Sequence, residues 1–134
     1  MYISNYIIVI ISYIIIYIDY NIVINNYKGD ITLKVLLGSK DKELVLQYLL
    51  SKNEGYASKI ARFYAIKPSQ ISKQLESLEE GSVLVSFQIG RSRLYKFNTM
   101  YYFLPELKIL LKKALDAYPD ELREKLIFNR TLIK

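Results

Sequence analysis

The segment from Pro68 to Gly81 constrains the fold most, because its two ends and its buried face can all be read from the residues. Proline fits the first helical position, where its missing N–H costs nothing, and glycine fits the left-handed residue just past a helix end. Between them Ile71, Leu75 and Leu78 fall at i, i+4 and i+7, an apolar stripe along one side of a helix. A short helix is expected just upstream, over about 57–64, with Ile60, Ala61 and Tyr64 turned inward and Lys59 and Arg62 outward. Ala65, Ile66 and Lys67 form the turn between the two helices. Downstream, Val83–Ile89 and Arg93–Phe97 are rich in strand-forming residues and meet across Gly90, Arg91 and Ser92, which reads as a β-hairpin.

The flanks complete the pattern. Ser39 reads as the N-cap of a helix over about Lys40–Lys52, with Asp41 and Glu43 in the first turn, where the helix dipole favours acids. Leu44, Val45, Tyr48 and Leu49 lie on one face of it, Leu46 and Leu50 widen that face, and Asn53–Gly55 end it. Asp30–Leu37 is a short apolar stretch closed by Gly38. Pro105 opens a further helix in which Leu107, Leu110, Leu111, Ala114 and Tyr118 repeat at helical spacing, and Pro119 starts a last one to about Phe128. Helix, helix, turn, helix, hairpin, helix is the order of a winged helix-turn-helix. The expected class is thus mainly α with a small β-hairpin and C-terminal amphipathic helices. The expected division is an apolar extension over 1–27, the winged domain over 28–104, and C-terminal helices over 105–134.

Residues 1–27 stand apart in composition, with eleven Ile, six Tyr and four Asn and no Lys or Arg. Three readings stay open. The stretch is translated AT-rich sequence ahead of the true start, since Ile, Tyr and Asn all have codons made of A and T. Alternatively it is a membrane anchor: a helix over residues 2–24 would be about 35 Å long, against about 30 Å of hydrocarbon. Or it is a β-branched, aromatic segment that forms a strand or aggregates. It does not read as a signal peptide, since it has no basic start and no small-residue cleavage site.

The chain has neither Cys nor His, which excludes thiolate and imidazole metal sites, Cys or Ser–His nucleophiles and disulfides. No phosphate-cradling glycine loop is present either. An enzyme is not expected, and neither a cofactor nor a metal is implied. All nineteen basic residues lie from Lys28 onward, whereas one of the thirteen acids, Asp19, precedes it, so that part is more basic than the whole chain at +6. That balance suits a polyanionic partner.

With Ile71, Leu75 and Leu78 buried, the opposite face of helix 68–80 presents Ser69, Gln70, Lys73, Gln74 and Ser77, and Lys67 precedes it. Gln and Ser can read base edges, Lys can reach guanine or phosphate, and a carboxylate there would repel the backbone. The helix N-terminal half enters the groove in such motifs, which singles out Lys67, Ser69, Gln70 and Lys73. Arg91, Ser92 and Arg93 at the hairpin tip suit the flanking phosphates or the minor groove. Double-stranded DNA is the expected partner. A solvated helix face and a basic hairpin tip are the plainer reading of each feature taken alone.

Tyr56–Phe63, Ser69–Gly81, Val83–Val85, Gly90–Asn98 and Phe103–Leu111 together resemble the small ArsR-type winged helix-turn-helix regulators, over about residues 36–118. The resemblance implies a homodimeric repressor on a roughly palindromic operator, cytoplasmic and nucleoid-associated. Terminal helices would supply the dimer contact, here through Leu107, Leu110, Leu111, Ala114 and Tyr118. Metal-sensing members use Cys and His ligands, which this sequence lacks. A similar wing followed by Asn and a Glu-Leu helix also occurs in DNA-binding domains associated with nucleotidyltransferases. Two other roles remain open on the residues: a protein-interaction winged helix, and a regulator tethered to a membrane through residues 1–27.

Overall fold

A computed structural model of the chain describes residues 2–26 and 33–128. Residues 1–31 and 32–134 form two compact units. Among the described residues the first holds one helix, α1 (Tyr2–Asn26), whose described side chains from Ser4 to Ile18 are all exposed. Among the described residues no helix is long and apolar enough to cross a membrane. Asp30–Thr32, from the expected apolar stretch, and residues 129–134 lie outside the described residues.

The second unit runs α2 (Lys34–Leu37), α3 (Lys40–Lys52), β1 (Glu54–Tyr56), α4 (Ala57–Tyr64), α5 (Pro68–Glu80), β2 (Leu84–Ile89), β3 (Ser92–Phe97), α6 (Leu104–Asp116) and α7 (Asp120–Phe128). This is a winged helix-turn-helix, mainly helical with a small antiparallel sheet. The expected hairpin proves to be two strands of three. β1 pairs with β3, Gly55 opposite Tyr95, and the sheet order is β1-β3-β2. The sequence signal for β1 is weak because Glu54-Gly55-Tyr56 carries no apolar alternation. Its pairing rests instead on the partner strand and on an ion pair, Glu54 to Lys96 at 3.1 Å.

α3 is the centre of the unit. Ser39 caps it, its hydroxyl accepting from the Lys42 N–H at 3.1 Å. Val45, Leu46, Tyr48 and Leu49 meet Ile60 and Ala61 of α4, the α5 stripe Ile71/Leu75/Leu78, Leu84 and Tyr95 of the sheet, and Leu111 of α6 in one core. α3 is wrapped so fully that Glu43 and Gln47 are buried too. Glu43 takes hydrogen bonds from the Leu33 N–H at 2.8 Å and the Tyr118 hydroxyl at 2.6 Å. Gln47 Nε2 donates to the Leu111 carbonyl at 2.7 Å. α6 and α7 therefore belong to the same compact unit as the winged domain. Lys125 of α7 reinforces that, donating to the Phe63 carbonyl at 2.7 Å while lying 4.5 Å from the centre of the Phe63 ring.

The ends of α4 and α5 share one construction. Past α4, the Ile66 N–H returns to the Ala61 carbonyl and the Ala65 N–H to that of Arg62. Past α5, the Val83 N–H returns to Leu78 and the Ser82 N–H to Glu79. Both are Schellman closures, in which the residue before the last donor must be left-handed. Those residues are Ala65 (φ 55°) and Ser82 (φ 63°). The expectation of a left-handed Gly81 is corrected here: its φ is −80°, and the closure falls one residue later.

Candidate nucleic-acid interface

α4, the tight turn and α5 set the geometry of the site. Lys67 is the N-cap and Pro68 occupies the first turn of α5, which holds no acid. The buried stripe pins α5 against the core and leaves Lys67, Ser69, Gln70, Lys73 and Ser77 exposed, with Gln74 half-buried. Glu76 is exposed at the flank, Glu79 is half-buried and Glu80 is exposed in the last turn, so the N-terminal part of the face carries no carboxylate. A residue that the sequence reading missed joins this face. Lys42, in the first turn of α3, places its Nζ 3.3 Å from the Ser77 hydroxyl. Only the packing of α3 against α5 brings the two together, thirty-five residues apart. Lys59 and Arg62 are exposed on α4, as expected.

The wing arginines do not sit as a pair on the loop. Ile89 pairs with Ser92, so Gly90 and Arg91 alone form the turn. Gly90 has φ 60° at the first central position, which a type II′ hairpin turn requires. Arg91 is at the tip, whereas Ser92 and Arg93 belong to β3. Arg93 lies back along the sheet, its Nη1 donating to the Ser86 hydroxyl at 2.7 Å. Between α5, the start of α4 and β3 runs a groove of about 430 Å³, lined among others by Ser58, Ser72, Glu76, Ser92 and Arg93.

The expected dimer stripe is largely used inside the chain. Leu111 and Ala114 are buried and Leu107 packs against the core. Tyr118 is half-buried on Glu43, where burial first and then this hydrogen bond push its hydroxyl pKa well up. Of the five, only Leu110 is exposed, next to the more exposed Ile109. The reason is α3, whose Gln47 and apolar side face α6 directly. Among the described residues no group of three acids could hold a metal ion.

The sequence matches no protein-family profile and no curated protein. The structure is similar to that of a double mutant of Lactococcus lactis ZitR in apo form, at 18% identity over 99% of this chain and 94% of that one, with a TM-score of 0.46. A second structure of the same mutant gives 17% identity, 98% and 93% coverage, and a TM-score of 0.39.

Proposed function

We propose that this protein binds double-stranded DNA sequence-specifically and represses transcription as a dimer, in the manner of the ArsR-type regulators that residues 36–118 resemble. The observation that carries it is the exposed face of α5, which offers Ser69, Gln70 and Lys73 with no carboxylate among them. In this reading α5 enters the major groove, Lys67, Lys42, Lys59 and Arg62 meet phosphates around it, and Arg91 reaches the flanking backbone or minor groove. Gln70 and Lys73 read sequence, and Arg91 contributes affinity. A two-fold operator requires two copies of the chain.

Fluorescence anisotropy of the full chain with random-sequence and selected duplexes tests this. Gln70→Ala or Lys73→Ala is expected to cost about 1–3 kcal/mol at the selected site and little elsewhere. Arg91→Ala is expected to weaken binding to every sequence and to lower the salt slope by about one. Absence of binding at low salt overturns the proposal.

A further inference from the structure

The strand register assigns Arg93 to a particular side of the wing. Ser86 pairs with Tyr95 and Gln88 with Arg93, and alternate residues of a strand share a face, so Ser86, Tyr95 and Arg93 lie together. Tyr95 is buried on that face. Ser86 on the same face reaches Glu79 of α5, so the face looks toward α5.

There the three groups form a chain. Arg93 Nη1 donates to Ser86 Oγ at 2.7 Å, and Ser86 Oγ donates to Glu79 Oε1 at 2.9 Å. The directions follow from the chemistry. A guanidinium only donates and an ionised carboxylate only accepts, so the hydroxyl between them accepts from one and donates its single proton to the other. Each bond involves a charged partner, and the shared hydroxyl is polarised from both sides. The relay joins β3, β2 and the last turns of α5. Arg91, at the tip, has no such tie among the described residues.

We infer that Ser86 and Glu79 are positioning residues for Arg93. They hold its guanidinium over the groove beside α5, and its remaining N–H groups are presented to one phosphodiester of the bound duplex. This rests on the DNA-binding reading. The relay also engages the Glu79 carboxylate, which accepts from Ser86 and is half-buried. Without it, Arg93 would have to be ordered at the moment of binding, which costs affinity.

The test is DNA affinity of the full chain across a salt series, in single and paired variants. Arg93→Ala is expected to lower the salt slope by about one. Ser86→Ala is expected to weaken binding about three- to tenfold with the slope unchanged, since no charge is lost. Ser86→Thr, which keeps the hydroxyl, is expected to restore it. Glu79→Ala removes a negative charge and on electrostatics alone would tighten binding; the relay predicts weakening instead. In an Arg93→Ala background, Ser86→Ala is expected to have no further effect, and Glu79→Ala to show only the electrostatic tightening. Equal losses from Ser86→Ala with and without Arg93 would mark a merely structural role and overturn the inference. So would a mobile Arg93 Nε–H in nitrogen-15 relaxation of the free wild-type chain. Wild-type protein that binds no DNA overturns the proposed function itself, a result distinct from binding without coupling.

Discussion

Glu43 shows how differently one residue reads in sequence and in the folded chain. As the fourth residue of α3 it looks like an acid favouring a helix start, yet it is 1% exposed with both carboxylate oxygens occupied. Its main partner, Tyr118, lies 75 residues away, a distance that no local pattern reports. The tyrosines around α3 carry a pH signature. Burial raises the hydroxyl pKa of Tyr64 and Tyr118 far above the ordinary value, with Glu43 adding to both, and it raises those of Tyr48 and Tyr95 too. A raised pKa in the folded state gives stability that is fully present below the unfolded value of about 10 and is lost as pH rises beyond it. Urea midpoints are therefore expected to hold from pH 8 to about 10 and then fall, and Tyr118→Phe should make that fall shallower. The same substitution leaves a buried Glu43 oxygen without its donor, so at pH 8 it should cost about 1–3 kcal/mol. An unchanged midpoint at pH 8 would show that the bond contributes nothing. Gly55 is a second case. Its backbone has an ordinary φ, but a Cβ there would lie 2.8 Å from Tyr48 Cε1 and 3.2 Å from the Ile60 side chain. The Tyr48 ring is buried and packs edge-on against Phe63, so any shift disturbs the core. Gly55→Ala is expected to lower stability by about 1–3 kcal/mol, read from chemical denaturation.

The helices were the legible elements, and their closures were less so. Caps, stripes and prolines placed α3, α4, α5 and α6 close to their observed bounds, because those signals are local and each has a single physical cause. The end of α5 illustrates the limit. Glycine's freedom makes Gly81 the natural left-handed residue, but the closure falls one position later, on Ser82, where the Val83 N–H reaches the Leu78 carbonyl and Val83 packs against the core. Ser82 has to hold φ 63°, a conformation disfavoured for residues with a Cβ. Its carbonyl accepts from Asn98 Nδ2 at 2.9 Å, a bond that any residue at 82 can keep. Ser82→Gly should therefore raise the unfolding free energy by about 0.5–1 kcal/mol, measured by urea titration. A loss of stability would mean that the serine side chain has a role the closure does not explain. For the candidate site, the legible part was the α5 face, fixed by the helical period. Lys42 and the Arg93 relay were hidden because they depend on how α3 and the sheet pack against α5.

At the scale of the whole chain, the core of residues 33–128 is closed by its own elements. α3 is covered by α4, α5, the sheet and α6, and Lys52 ties it to the Leu126 carbonyl of α7 at 3.1 Å. Neither Ile60, Ile71, Leu75 nor Leu111 has any exposed surface left to cover. α1, by contrast, shows Ile and Tyr on every side over Ser4–Ile18, with Tyr6 at 74% and Ile8 at 60% exposed. A helix apolar all round gains its stability from whatever surrounds it, not from one packed face. The two units should then respond separately to truncation. A chain beginning at Thr32 is expected to unfold cooperatively with the same urea midpoint and the same alkaline fall as the full chain. It should also lose the tendency to associate that an exposed apolar helix confers, which sedimentation velocity would detect. A truncated chain that melts without cooperativity would show that residues 1–31 supply part of the core. In that case the separation into two units would have to be given up.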